Sequence, residues 1–526
     1  MTETELKIWL DEEGLARLAR LPALAALRRA ERRTETLVSI YHDTPGQALA
    51  AAGVSLRLRR VGRRWLQTIK RRTGETAGGP AAGTAANGLF SHLEHELPAP
   101  GGRLVLDGPD PEGALAAVRD AAAGAPLAPV FETRVRRIVE RLAAPGGGEV
   151  ELALDKGEIV AGEARAPIRE AELELVSGEI GAIYALARLL FPTGPVRFAP
   201  ENKAARGYRL LRTGKEDRPL RPRSAGAPQF GPDATVEMAA RDVFRDCLGQ
   251  IAANMTVVAD SAAIEGPHQL RVGLRRLRTA FAIFGPSLGG AATAPLAATA
   301  RELGQVVGEL RDADVLMSEV VAGAARLGLD PAARGALDAA LEARREEVRA
   351  RVRETLAGPE ATAFLFDLGA FIEGRGWLVA SDYSQTARLA APIGEVAPDI
   401  LGRRYAKAMK LGRKVRELDA TGLHELRKEL KKLRYTVDAF APLYEGARMR
   451  AYLRALKELQ DSFGSMNDAV MAGDALSGPD APGAADPAAQ RAVGWTLGTL
   501  AVREADDRPR LFEHWDRLAD TRPFWR

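Results

Sequence analysis

Over the first two hundred or so residues the chain changes class at every second position. ETELKIW from Glu3, VSLRLRRV from Val54, RWLQTIK from Arg64, HLEHEL from His92, EVELALD from Glu149 and REAELELV from Arg169 all alternate polar with apolar. Period two is the signature of a β-strand with two unlike faces. Gly-, Pro- and Ala-rich stretches, Thr73 to Gly88 and Ala143 to Gly148 among them, separate the strands as loops. Asp11 to Arg29, Pro111 to Ala123 and Gly181 to Leu190 read as intervening helices. Residues 214–232, GKEDRPLRPRSAGAPQFGP, read as a linker. Beyond about Thr235 period two vanishes and long helical stretches run to the end, with breaks expected near Gly285, Gly358 and Ser477 to Pro487. The pattern predicts an α+β multidomain chain, with a β-rich domain over 1–213 and an all-α domain over 233–526.

Within the helical half one segment is written twice. HQLRVGLRRLRTAF begins at His268 and HELRKELKKLRYTV at His424, an offset of 424 − 268 = 156. On a helical wheel Leu270, Leu274, Leu277, Phe281 and Phe284 form one apolar stripe, and Arg271, Arg275 and Arg278 lie beside His268, roughly 80–140° away from the middle of the stripe. In the second copy Leu426, Leu430, Leu433, Val437 and Phe440 repeat the stripe, and Arg427, Lys431 and Arg434 repeat the cations. The offset also carries Arg311-Asp312-Ala313 onto Asn467-Asp468-Ala469, which points to an internal duplication, about 235–400 and 401–526. Between the copies, GRRYAKAMKLGRKVREL places Arg403, Lys407, Lys410 and Lys414 on one stripe. A lone basic helix face is ordinarily just solvated. Uncompensated cations that repel by a few tenths of a kcal/mol per pair, on three helices, call for a polyanion.

The polar faces of the strands are sorted by sign. Glu3 and Glu5 with Lys7, Glu94 with Glu96, Glu151 with Asp155, and Glu170, Glu172 and Glu174 each share a face. So do Arg57 with Arg59, Thr68 with Lys70, and Arg134 with Arg136. One such strand is an ordinary sheet with its charged face in water. Seven of them suggest a closed sheet with the charges inside. Two carboxylates ~5 Å apart repel by about 3 kcal/mol at an effective dielectric near 20. Clustered acids therefore suggest a divalent ion, Mg²⁺ or Mn²⁺ for an oxygen-only ligand set, and clustered Arg and Lys suggest phosphate.

Composition narrows the classes further. The 526 residues are 46% hydrophobic and 27% charged with a formal net charge of only +4, so position matters more than total charge. The single cysteine, Cys247, excludes an intramolecular disulfide and a cysteine-rich zinc site. Glu3 and Glu5 stand where a signal peptide would be basic, and the uncharged run Thr279 to Ala300 is too interrupted by Gly and Pro to span a bilayer, so a cytoplasmic protein with no membrane partner is expected. GGPAAGTAANG lacks the Lys-Ser/Thr ending of a Walker loop and reads as a flexible loop; no Ser-His-Asp constellation stands out.

The two His-x-x-Arg-x-x-x-(Arg/Lys)-(Arg/Lys)-Leu-Arg segments with their downstream Asp-Ala pairs resemble the CHAD domain over roughly 235–526. That resemblance implies a duplicated helical bundle lining a basic groove, with polyphosphate contacted by His268, Arg271, Arg275, Arg278, His424, Arg427, Lys431 and Arg434. Arg403, Lys407, Lys410 and Lys414 join these on charge alone. The ordered series ETELK, YHDTPGQALAAAGVSLRLRR, WLQTIK, EHE, ALDKGEI, ELEL and ENKAARGYRL resembles the CYTH family, the triphosphate tunnel metalloenzymes, over nearly all of 1–213. This implies an eight-stranded antiparallel tunnel, a divalent cation, and hydrolysis or cyclisation of a triphosphate. Lys7, Arg57, Arg59, Lys70, Arg134, Arg136, Lys203 and Arg206 would then hold phosphate. Glu3, Glu5, Glu94, Glu96, Asp155, Glu172 and Glu174 would bind metal and orient water.

The reading that unites both halves is a metal-dependent inorganic triphosphatase whose helical domain binds polyphosphate, with association with polyphosphate granules as its corollary. The alternatives are an adenylate cyclase or thiamine triphosphatase on the same tunnel, and a non-catalytic polyphosphate-binding scaffold. Nucleic acid is disfavoured: aromatics are 6% of the chain, and the basic helices carry only Tyr405 and Tyr435 for stacking on bases.

Overall fold

The computed structural model describes residues 2–72, 85, 87–110, 112–216, 220–479 and 481–525. Most of the Gly/Ala-rich loop expected between Thr73 and Gly88 lies outside them, as does Pro111. The chain gathers into two compact units. One comprises Met1–Pro222 with Leu248–Val257 and Ala357–Gly376; the other comprises Arg223–Cys247, Val258–Leu356 and Trp377–Arg526.

The first unit is built on a closed antiparallel sheet. Its strands are β1 (Thr2–Trp9), β2 (Arg33–Asp43), β3 (Val54–Val61), β4 (Arg64–Arg72), β5 (Leu89–Pro98), β6 (Ala128–Ala143), β7 (Glu149–Ala161) and β8 (Ala164–Ser177). They pair in the order β5-β4-β3-β2-β6-β7-β8-β1, and β1 pairs back to β5, which closes an eight-stranded tunnel; a two-residue strand β9 (Arg197–Phe198) is appended to β1. Closure removes the unpaired sheet edges. It also turns the alternation inside out: Leu6, Ile8, Leu56, Ile69, Leu154 and Leu173 are buried on the outer face. The helices of this unit are α1 (Glu12–Ala19), α2 (Ala23–Leu27), α3 (Ala48–Ala51), α4 (Ala114–Ala122), α5 (Gly181–Leu190) and α6 (Lys203–Thr213). Leu49 of α3 and Leu115 and Val118 of α4 pack with Leu56 and Ile69 in one cluster. At about 1.5–3 kcal/mol per buried aliphatic side chain, this outer packing is what lets the interior stay charged.

The helix α6 is docked by shape and by hydrogen bonds. Any side chain at Gly207 would meet the Phe131 ring, whose Cε2 lies 2.1 Å from the position of a Cβ, so glycine lets α6 lie flat on β6. Tyr208 donates its hydroxyl to Asp43 at 2.8 Å, and the same carboxylate caps the turn entering α3 through the Leu49 and Ala50 amides at 2.9 and 3.0 Å. Asn202 caps α6 through the Ala205 amide at 2.9 Å, which aims Lys203, the first helical residue, into the tunnel.

From residue 236 to 520 the chain is helical: α7 (Val236–Asp260), α8 (Glu265–Leu288), α9 (Gly290–Leu327), α10 (Pro331–Ala357), α11 (Pro359–Glu373), α12 (Tyr383–Ala390), α13 (Ile393–Gly412), α14 (Ala420–Phe440), α15 (Ala447–Leu476) and α16 (Pro487–Asp520). The offset of 156 relates whole helices, not just the two basic segments. Pro331 opens α10 and Pro487 opens α16, and α7, α8 and α9 begin within one residue of the same offset from α13, α14 and α15. The second copy thus already includes α13. Both apolar stripes are buried as the wheel predicts. Phe284 and Phe440, equivalent residues of the two copies, meet edge to face at 6.0 Å. The helix break expected near Gly285 falls at Gly289, because α8 runs through Gly285-Pro286 for one last turn.

Candidate functional site

The tunnel encloses a cavity of about 530 Å³. Its wall carries eight carboxylates (Glu3, Glu5, Glu94, Glu96, Glu151, Asp155, Glu172, Glu174) against six lysines and arginines (Lys7, Arg57, Arg59, Lys70, Arg137, Lys203). Register explains the mixing. Lys7 is the β-ladder partner of Glu172, Glu5 of Glu174, Lys70 of Glu94 and Arg137 of Asp155, so neighbouring strands present opposite or like charges side by side.

One half of the wall is compensated. Glu172 takes ion pairs from Lys7, from Arg137 at 2.5 Å and from Lys203 at 2.7 Å. Asp155 takes Arg137 and Lys203, each at 2.6 Å, and Lys203 also pairs with Glu170. Burial works against ionised Glu172, but the charges of Lys203, Lys7 and Arg137 hold its carboxyl well below the usual range. Asp155, Glu170 and Glu172 offer oxygens within 4.8 Å of one another, close enough to share a metal ion, and here the Lys203 ammonium binds all three.

The other half carries surplus acid. Lys70 pairs with Glu3 at 2.5 Å and Glu94 at 2.8 Å, while Glu3 and Glu94 hydrogen-bond each other. Burial and that shared hydrogen bond push the Glu3 carboxyl up to about 9. Burial opposes ionised Glu94, yet the Glu3 hydrogen bond and the Lys70 and Arg57 charges hold it well below the usual range. Glu174, raised by burial and by Glu5, completes this acidic wall. Two carboxylates that share one proton form a donor set that a divalent cation fits, since the ion can replace the proton.

Arg59 is the exception among the cations. It is nearly buried, makes no ion pair among the described residues, and its Nε has no hydrogen-bond partner. Burial and then the Arg57 and Arg137 charges lower it to about 10. A guanidinium held at that cost, with its fork free, suits a phosphate.

Of the residues singled out from sequence, the cavity collects Glu3, Glu5, Lys7, Arg57, Arg59, Lys70, Glu94, Glu96, Asp155, Glu172, Glu174 and Lys203. Arg134 and Arg136 are not among them: both are exposed on the outer face of β6, where Arg134 pairs with Glu132 at 2.5 Å. Thr133, Val135 and Arg137 face inward instead, because Val135 pairs with Leu37 and Arg137 with Asp155. Arg206 lies over the Trp9 ring at 5.6 Å and donates to the Pro167 carbonyl at 2.5 Å, so it braces α6. Residues missed from sequence are Arg137, Glu170 as part of the carboxylate trio, Tyr41 and His92, the last lowered to about 4 by burial and Lys70.

In the helical unit α8 and α14 bring a second cationic cluster together. Burial and then Arg275, Arg427 and Arg271 lower Lys431 to about 6, with Asp468 its one acidic neighbour of note. Burial and Arg311, with Arg275 and Lys431 behind, lower His268; burial, Lys428 and Arg427 lower His424. Arg271 pairs with Asp312 at 2.8 Å, and Arg427 donates to Asn467 at 3.1 Å. Arg278 is exposed beside Arg275 and Arg301, whereas Arg434 is held by Asp438 at 2.9 Å. The α13 stripe stands apart. Lys407 pairs with Glu429 at 3.1 Å, and Glu429 lies roughly 160° around α14 from Arg427 and Lys431. Arg403, Lys410 and Lys414 are exposed.

Residues 1–208 match the CYTH domain model and residues 242–477 the CHAD domain model. An inorganic triphosphatase of Haemophilus influenzae is 28% identical over 213 residues, which is 40% of this chain and 55% of that protein, so the match spans about half of the relative's length. Among solved structures, the CHAD domain from the plant Ricinus communis is 26% identical, covering 57% of this chain and 98% of that one with a TM-score of 0.49. A Hippeastrum protein, named as an adenylyl cyclase and described as revealing a dominant triphosphatase activity, is 20% identical, covering 41% of this chain and 98% of its own with a TM-score of 0.30. Among the described residues no helix is long and apolar enough to cross a membrane. The chain carries a CYTH domain in its tunnel half, followed by a CHAD domain in its helical half.

Proposed function

We propose that the tunnel hydrolyses inorganic triphosphate with the help of Mg²⁺ or Mn²⁺, and that the helical domain binds polyphosphate. The observation that carries the first part is the charge count of the wall. Eight carboxylates against six cations, with one proton shared by Glu3 and Glu94, leave an excess of negative charge that grows when that proton leaves, so the wall calls for a divalent ion beside a polyanion. The likeness to a triphosphatase supports the substrate class.

Glu3, Glu5, Glu94 and Glu174 are the residues that would hold the metal, which supplies charge neutralisation at the non-bridging oxygens. Arg59 and Arg57 take a phosphate through their guanidinium forks. Lys7, Lys70, Arg137 and Lys203 exchange part of their carboxylate contacts for phosphate oxygens and hold the chain extended. The ionised carboxylates of the acidic wall orient water in line with a terminal phosphorus. The enclosed wall limits competing water and strengthens each of these charges.

For the helical domain, the support is a cluster of basic side chains, His268, Arg271, Arg275, Arg311, Arg427 and Lys431, with Asp312 and Asp468 as its acidic neighbours. The test of the main proposal is phosphate release from tripolyphosphate with Mg²⁺ or Mn²⁺, a chelator and Glu5→Gln as controls. Metal-dependent release lost in the variant supports it. No release with either metal leaves a polyphosphate-binding scaffold as the account.

A further inference from the structure

The offset of 156 carries α7 to α10 onto α13 to α16, but it carries Pro359, the first residue of α11, onto Trp515 in the interior of α16. The helix α11 therefore has no counterpart in the repeat. It lies instead in the same compact unit as the tunnel. Its contacts there run along one face, Thr362, Phe366 and Gly369, at i, i+4 and i+7. Thr362 donates its hydroxyl to the Gly194 carbonyl at 3.2 Å, and the Gly194 amide donates to the Ala357 carbonyl at 2.8 Å. Gly194 has a φ of +98°, which suits glycine alone. The fully buried Phe366 ring meets Phe191 at 6.3 Å and Phe198, edge to face, at 5.9 Å, and these two rings bracket the turn that carries Gly194. A Cβ at Gly369 would lie 2.3 Å from Cε1 of Tyr184, so glycine lets α11 lie close against α5, where Arg188 pairs with Asp367 at 2.6 Å.

The turn held in this way leads into the site. The strand β5 covers β1 from Thr2 to Leu6, and β9 takes over at Ile8 and Trp9. Between them the Lys7 amide donates to the Gly88 carbonyl, and the Lys7 carbonyl accepts from the Ala199 amide, each at 2.9 Å. Asn202 then caps α6, and Lys203 enters the tunnel at 2.6 Å from Asp155 and 2.7 Å from Glu172. We propose that Phe366 is a positioning residue of the tunnel: α11 holds the 191–198 turn from outside and so fixes Lys203 against the triphosphate. The inference rests on the triphosphatase reading of the tunnel. A strand of two residues is too short to hold its place by ladder hydrogen bonds alone, and the aromatic contacts of Phe366 supply what the ladder lacks. Phe366 lines no part of the cavity and acts only through where it sets Lys203. Its loss therefore weakens the hold on bound substrate, which raises KM more than it lowers kcat.

The test uses the full chain with tripolyphosphate and Mn²⁺. Phe366→Leu is expected to lower kcat/KM by ~10-fold, carried by KM, with kcat within about twofold of wild type. Thr362→Val, which removes only the hydroxyl on Gly194, is the milder variant and should raise KM by about threefold. Phe284→Leu makes the same change at a fully buried ring of α8 and should leave KM unchanged. In a Lys203→Met background Phe366→Leu should shift KM by less than about twofold, since the group it positions is gone. Hydrogen exchange read by mass spectrometry should quicken over residues 197–206 in Phe366→Leu and stay as in wild type over β6. A KM unchanged in both α11 variants, a KM rise equal to that of Phe284→Leu, or a rise that persists without Lys203 would each overturn the proposal. If the wild type releases no phosphate, the triphosphatase reading falls and exchange decides alone. Faster exchange over 197–206 then keeps α11 as the support of Lys203, and unchanged exchange removes it.

Discussion

The tunnel and the helical cluster both gather cations, but they treat them differently. In the tunnel Lys7, Lys70, Arg137 and Lys203 are each spoken for by a carboxylate, and among the described residues Arg59 has no ion pair. In the helical cluster Arg271 is paired with Asp312, while Lys431 makes no ion pair among the described residues and its largest charged neighbours are Arg275, Arg427 and Arg271, ahead of Asp468. A wall with surplus acid needs a metal before it can take a polyanion. A cluster with surplus cation takes the polyanion directly and holds it with a strong dependence on salt. On the proposed function, the chemistry of hydrolysis belongs to the first design and retention to the second.

The largest effect is expected at Glu172, where three cations converge. Glu172→Ala strands Lys7, Arg137 and Lys203, so triphosphate hydrolysis should fall by ~10²–10³-fold or more and stability by about 3–5 kcal/mol, read by phosphate release and by denaturant unfolding. Arg59→Met separates function from stability. Hydrolysis should drop by roughly 10²-fold, while removal of an unpaired buried cation should leave the melting temperature equal or higher by about 2–4 °C. A lower melting temperature would mean that Arg59 is paired in solution.

In the helical domain Arg271→Gln and Arg427→Gln should each weaken polyphosphate binding by about 10-fold and lower the slope of log affinity against log salt by roughly 0.7–0.9, as for other linear polyanions. Proton linkage should oppose itself in the two regions. Metal binding displaces the proton held near Glu3, raised to about 9, so metal affinity should rise from pH 7 to 9 with up to one proton released. Polyphosphate raises the proton affinity of Lys431, about 6 in the cluster, so its affinity should fall from pH 6 to 8. Calorimetry in buffers of different ionisation heat reads both signs. The smallest effect is expected at Arg134→Gln and Arg136→Gln, exposed on the outer face of β6, where hydrolysis should change by less than about twofold.

That last pair shows where sequence reasoning stops. Alternation placed the inward faces of β1, β3, β4, β5 and β8, because Glu3, Glu5 and Lys7, Arg57 and Arg59, Thr68 and Lys70, Glu94 and Glu96, and Glu170, Glu172 and Glu174 each repeat at one parity, and closure of the sheet followed from so many charged faces. In β6 the run Arg134-Val135-Arg136-Arg137 puts cations at both parities, so alternation cannot choose between them. The choice is made by the partner strand, which sets Arg137 opposite Asp155. The helical repeat was legible from identical spacing, and Phe284 and Phe440, at equivalent positions of that spacing, meet in the structure. That the α13 cations turn away from the cluster was not legible, since it depends on which side of α14 the helix α13 packs. The deviation of Lys431 could not be read either: a lysine among arginines is unremarkable until three guanidiniums are brought around it.

The most direct test is to locate the metal. Crystals of the protein grown with Mn²⁺ and measured for anomalous scattering should show a peak bound by at least two of Glu3, Glu5, Glu94 and Glu174. A map with no peak in the tunnel, or with a peak only between Asp155 and Glu170 where Lys203 now sits, would contradict the division of the wall into a compensated half and a metal-binding half.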